Sequence, residues 1–122
     1  MDSRIKPLFF KTSTELRNWF ITEHDKSKEV WIGLYKKDSG KISVTYPEAV
    51  DQALCFGWID GIRKKVDDIR YTNRFTPRRP KSNWSKINIA HAKRLMKEGL
   101  MKPSGLKEVA RAKTDGRWKK TL

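Results

Sequence analysis

Gly61-Ile62-Arg63-Lys64-Lys65-Val66-Asp67-Asp68-Ile69-Arg70-Tyr71-Thr72-Asn73-Arg74-Phe75 is the stretch that decides the fold. Ile62, Lys64 and Val66 alternate with Arg63 and Lys65, a period of two residues that belongs to a strand. Asp67-Asp68 turns the chain, and Tyr71 to Phe75 returns it, so a β-hairpin is expected. Upstream, Glu29-Val30-Trp31-Ile32-Gly33-Leu34-Tyr35-Lys36 reads as another strand. Val30, Ile32 and Leu34 share one face, and Trp31 and Tyr35 share the other. Apolar groups on both faces imply an interior strand covered on each side. Gly33 leaves room on the Trp31–Tyr35 face for a close backbone approach.

Helix signals surround these strands. After a short apolar extended piece, Pro7-Leu8-Phe9-Phe10, comes Thr12-Ser13-Thr14-Glu15, with Thr12 or Ser13 as cap and Glu15 reaching back. Leu16, Trp19 and Phe20 follow at helical spacing as far as about His24. Thr45-Tyr46-Pro47-Glu48 opens a second helix that buries Val50, Ala53 and Leu54 and ends at Gly57. Ser82 is expected to cap a third, from about Asn83 to Glu98, ended by Gly99. On it Lys86, Lys93 and Lys97 fall on one side beside Arg94, while Trp84, Ile87, His91 and Leu95 mark another. Ser104 begins a fourth, with Leu106, Val109 and Ala110 inside and Gly116 after it. The order αβαββαα predicts a single α+β domain: a small, mainly antiparallel sheet of three to four strands packed with about four helices.

Composition narrows the function. A hydrophobic content of 37%, with five Trp and five Phe, belongs to a folded chain. No apolar run approaches the ~20 residues of a membrane span. No secretory signal opens the chain, and the one cysteine, Cys55, cannot form an internal disulfide, so a cytoplasmic protein is expected. Residues 1–61 carry 9 basic and 9 acidic residues, whereas residues 62–122 carry 19 and 5. The whole net charge of +14 therefore sits in the second half, which points to an anionic partner such as phosphate, nucleotide or nucleic acid.

The strong catalytic and cofactor motifs are absent: no G-x-x-x-x-G-K-[ST], G-x-G-x-x-G, H-E-x-x-H or paired C-x-x-C. Ser39-Gly40-Lys41 has the tail of a phosphate loop without its leading glycine and reads as a turn. His24 and His91 have no ligand-spaced neighbours, so neither a metal nor a cofactor is expected.

Arg78-Arg79 is the sharpest feature. Pro77 and Pro80 hold both on a stiff backbone, and guanidinium forks fit phosphate or carboxylate oxygens bidentately. The helix start that follows favours an anion. Ser82 and Ser85 add hydroxyls, Trp84 offers a stacking face, and Asn88 and Asp60 would orient the group. Asp60 follows Trp58 and would also hold Arg74 or Arg78. The segments 55–61 and 74–88 are thus expected to converge on one anion-binding pocket: Trp58, Asp60, Arg74, Arg78, Arg79, Ser82, Trp84, Ser85 and Asn88. No catalytic residue is assigned, and the reading is a non-enzymatic module. An enzymatic alternative is a small hydrolase or transferase in which Asp60, or Cys55 paired with His91, reacts. Another is a protein-interaction domain for an acidic partner.

Several longer words strengthen the picture. Cys55-Phe56-Gly57-Trp58-Ile59-Asp60-Gly61, Arg74-Phe75-Thr76-Pro77-Arg78-Arg79-Pro80, Ser82-x-Trp84-Ser85-x-x-Asn88 and Asp115-Gly116-Arg117-Trp118 resemble the YdeI/OmpD-associated family, labelled bacteriocin-protection proteins. Val30-Trp31-Ile32-Gly33-Leu34-Tyr35-Lys36-Lys37 and Thr45-Tyr46-x-Glu48-Ala49-Val50 match as well, so the likeness spans roughly residues 8–118. It implies a small bacterial protein in a stress or protection context and supplies no catalytic residue. Longer members continue past the Gly-Arg-Trp word into a further basic helical segment. This chain stops at Leu122, so a single domain over residues 1–122 without that segment is expected.

Overall fold

Short polar side chains set most helix starts. In the computed structural model, which describes residues 4–118, Thr12 accepts the Glu15 N–H and begins helix α1, Ser13–Glu23. Thr45 and Glu48 form a reciprocal capping box at the start of α2, Tyr46–Cys55. Gly57, at φ +80°, ends α2 in the left-handed region that glycine tolerates. The strands are β1, Leu8–Phe9; β2, Val30–Tyr35; β3, Trp58–Lys65; and β4, Arg70–Pro77. Helices α3, Lys86–Lys97, and α4, Pro103–Thr114, complete the chain.

The expected α+β architecture is present, with four helices and a mixed sheet ordered β1-β2-β4-β3. The extended piece at the start is a true strand, and β1 pairs parallel with β2. The other pairings are antiparallel, Leu34 opposite Tyr71 and Asp60 opposite Phe75 among them. β3 starts at Trp58, three residues before Gly61, because Gly57 turns the chain directly into the ladder beside Pro77. It forms a border of the sheet, and its register slips between Asp60 and Arg63.

One core lies between the helices and one face of the sheet. Leu16 and Phe20 from α1, Ile32 and Leu34 from β2, Trp58 from β3 and Phe75 from β4 are each at most 1% exposed. Each such side chain contributes about 1.5–3 kcal/mol by leaving water. The opposite face of β2 has no such layer among the described residues, contrary to the expectation of cover on both sides. The Phe9 ring lies over Gly33, where a Cβ would sit 2.5 Å from it, so a side chain, not backbone, makes the close approach. Tyr35 and Arg70 rest against that ring.

Three sequence expectations about the last two helices need correction. α3 is capped by Ser85, whose hydroxyl accepts the Asn88 N–H at 3.0 Å, because Ser82 is engaged by Arg78. Its buried face is Ile89, Ala92 and Leu95, while Ile87 is 70% exposed. α4 turns Gly105, Val109 and Ala112 inward, leaving Leu106 and Ala110 exposed. The reason is a close crossing: a Cβ on Gly105 would stand 2.3 Å from the Cys55 carbonyl oxygen, so only glycine fits that face.

Candidate functional site

Pro77 and Pro80 hold the intervening arginines on opposite sides of an irregular chain. Arg78 goes inward: its N–H donates to the Gly57 carbonyl at 2.9 Å, and its guanidinium lies 3.7 Å from the centroid of the Trp84 ring. Nη1 donates to Ser82 Oγ at 3.1 Å and to the Asn83 carbonyl at 3.2 Å. Arg79 goes outward and is exposed. Trp84 is buried between Arg78 and Trp118, so its stacking partner is an arginine of its own chain. Trp58 is in the core, edge-on to Trp19 and Phe20. Arg74 is on the helix-free face of the sheet, its Nε 2.8 Å from a Glu29 oxygen.

The nine residues are therefore divided among several places. Asp60, Ser85 and Asn88 share an open cleft, about 420 Å³, which they line with Tyr46, Val50, Ile87 and His91, while Trp58 and Arg78 border a second one beside the start of α4. Within the first the Tyr46 hydroxyl donates to Asp60. Burial first, and then this bond and the charge of Asp60, push the Tyr46 phenol well above its ordinary value of 10.0. A group whose pKa is raised by folding stabilises the fold below its unfolded pKa, and that contribution is lost as pH rises toward the folded value. Stability should thus begin to fall above about pH 10. In an alkaline absorbance titration a late tyrosine step is expected, and Tyr46→Phe should remove it. Absence of that step would show that the Tyr46 phenol is not held in this buried setting in solution.

Cys55, the last residue of α2, is fully buried, and desolvation pushes its thiol up, away from reactivity. His91 instead has its Nδ1 3.1 Å from Arg94, which grips Asp51 through Nη2 at 2.8 Å. The pairing of Cys55 with His91 is not formed.

A larger cleft, about 580 Å³, contains none of the nine. It runs from the end of β2 to the start of α2 and presents Lys36, Lys37 and Lys41 beside Tyr35, Tyr46 and Tyr71, with no carboxylate in its lining. Arg63 lies over the Tyr71 and Tyr46 rings at 4.4 and 5.0 Å from their centroids. Gly40, at φ +77°, bends the loop that brings Lys41 in. The Ser39-Gly40-Lys41 word, read as a turn, lies beside this place, and the tyrosines come to one cleft only through folding: Tyr71 pairs with Leu34 and Tyr35 with Arg70, so Tyr35 and Tyr71 line the sheet end from opposite faces. Among the described residues no cluster of three metal-ligating side chains exists, and no helix is long and apolar enough to cross a membrane.

These features define a small, strongly basic α+β domain with an aromatic, lysine-lined cleft at one end of its sheet. Residues 8–108 match the model of a domain of unknown function, DUF8412, and the chain belongs to that family. No curated protein and no solved structure matches it.

Proposed function

We propose that this domain is a non-enzymatic module that binds a phosphate-bearing ligand, single-stranded nucleic acid above all, in the cytoplasm. The observation that carries the reading is the cleft of three lysines and three tyrosines without a carboxylate. Ammonium groups neutralise phosphates and release counterions. Aromatic faces stack bases, each worth about 1–3 kcal/mol, and tolerate any sequence. The words shared with the YdeI/OmpD-associated family support kinship with it and a protective role.

Fluorescence anisotropy of a labelled mixed-sequence oligonucleotide at two salt concentrations tests this. Affinity should fall with salt by about 0.7 log units per phosphate contacted, for each tenfold rise. The triple change Lys36→Glu, Lys37→Glu, Lys41→Glu should weaken binding at least roughly tenfold. The same charge change at Lys86, Lys93 and Lys97, on the outer side of α3, should weaken it far less. Equal losses would overturn the cleft and favour a diffuse basic surface for an acidic protein partner. One arrangement favours an enzyme instead: Asp60, held by Tyr46, shares its cleft with His91. That reading requires a turnover that Asp60→Asn abolishes without unfolding the protein.

A further inference from the structure

Arg78 is only 6% exposed, yet one edge of its guanidinium is unused. Nη1 is spent on Ser82 and Asn83, while Nε and Nη2 have no hydrogen-bond partner among the described residues. Nε–H and the adjacent Nη2–H project in parallel and form the fork that grips two oxygens of one carboxylate or phosphate. Leaving such donors dry is costly, about 1–3 kcal/mol for each buried group and more for a charged one. Arg78 lines a cleft of about 230 Å³, several times the roughly 30 Å³ share of one water molecule.

The opposite wall is the first turn of α4. Gly57, whose carbonyl holds the Arg78 N–H, lies against the Ser104 carbonyl and the Glu108 side chain. This packing brings the Arg78 backbone and the start of α4 to the same glycine. Lys102 provides α4 with no side-chain cap, so the positive helix end is left open. The Ser104 hydroxyl is buried and, among the described residues, also unpartnered. Lys107 adds a cation to the same lining. The charged groups against it are Asp25 and Glu108, and Glu108 is already held by Arg111 at 3.3 Å. His24, the remaining titratable neighbour, directs its Nδ1 to the Phe20 carbonyl.

We propose that the free edge of Arg78, the Ser104 hydroxyl, Lys107 and the open N-terminus of α4 form a binding site for a small oxyanion, a phosphate or carboxylate group. It shares no lining residue with the lysine–tyrosine cleft, so it stands or falls independently of nucleic-acid binding. The same sequence words that suggested an anion at the start of α3 lead, through the inward turn of Arg78, to the start of α4.

The test is an NMR titration that follows arginine Nε–H and backbone amide resonances. Inorganic phosphate and sodium acetate are added in separate arms, with sodium chloride as the constant-ionic-strength control. A saturable shift of Arg78 Nε–H together with the Ser104 and Gly105 amides is expected. The arm that saturates at lower concentration identifies the oxyanion. Ser104→Ala should weaken binding roughly tenfold, as loss of a hydrogen bond to a charged group does. The Lys36, Lys37 and Lys41 charge changes should leave it untouched. Arg78→Lys keeps the charge but lacks the fork and should abolish the shift. Should that buried replacement not fold, Ser104→Ala and Lys107→Ala, at less buried positions, remain decisive. Absence of a saturable shift at these groups with either oxyanion, or an equal response to chloride, would overturn the site.

Discussion

Trp58→Ala should lower the free energy of unfolding by about 3–5 kcal/mol, the usual range for removing a buried tryptophan or phenylalanine. A domain of this size holds about 5–15 kcal/mol in all, so the variant should be close to unfolding at 37 °C. The indole is 1% exposed and stands edge-on to Phe20 and Trp19, with ring centroids 5.3 and 5.9 Å away. Phe20 in turn stacks on Phe56 at 5.3 Å, so removing Trp58 opens a hole at the centre of an aromatic cluster. It also leaves the first rung of β3, opposite Pro77, without its anchor. Urea denaturation provides the measurement, and Trp58→Phe should recover most of the loss. A loss below about 1 kcal/mol would contradict the core placement and return the indole to the ligand-binding role suggested by its sequence neighbours.

Gly105→Ala should be destabilising by about 3 kcal/mol, at the upper end for overpacking. Helix propensity alone predicts the reverse, since alanine is better than glycine by about 1 kcal/mol inside a helix. Geometry decides against propensity here. The added Cβ would lie 2.3 Å from the Cys55 oxygen, and 2.7 Å from both the Cys55 carbonyl carbon and the Leu54 oxygen. These are backbone atoms, which cannot rotate aside as a side chain would. The Lys102 N–H, bonded to the Cys55 carbonyl at 2.9 Å, pins α4 at this crossing. Thermal unfolding gives the sign. A stabilised variant would mean that α4 does not cross the end of α2 so closely, and Ser104 would then not be held over the cleft.

The elements legible in the sequence were those set by neighbouring residues. Thr12 with Glu15, Thr45 with Glu48, the left-handed Gly57 and the 62–75 hairpin each have their cause within a few positions, and each is present. What was not legible depends on distant contacts. The sequence pointed to Ser82 as the cap, but the inward turn of Arg78 engages that hydroxyl and Ser85 caps the helix instead. Leu106 looks like a core residue until the crossing at Gly105 turns it outward. The neighbouring Arg78 and Arg79 looked like one cationic unit, yet one is buried on Trp84 and the other faces water. The lysine–tyrosine cleft joins β2, the loop at Gly40, α2 and β4, which are distant in the chain and become neighbours only through the tertiary fold.

The border position of β3 has a consequence for how the chain behaves in a crowd. An eight-residue strand with an unpaired outer rim is a template onto which other copies can add, and unprotected rims of this kind seed aggregates. Here residues 61–65 are exposed, three of them are the cations Arg63, Lys64 and Lys65, and the register slip before Arg63 interrupts the rim. Incoming copies would meet like charges and a discontinuous ladder. Part of the basic excess thus opposes pairing between copies of this chain, and neutralising those three positions should promote their self-association.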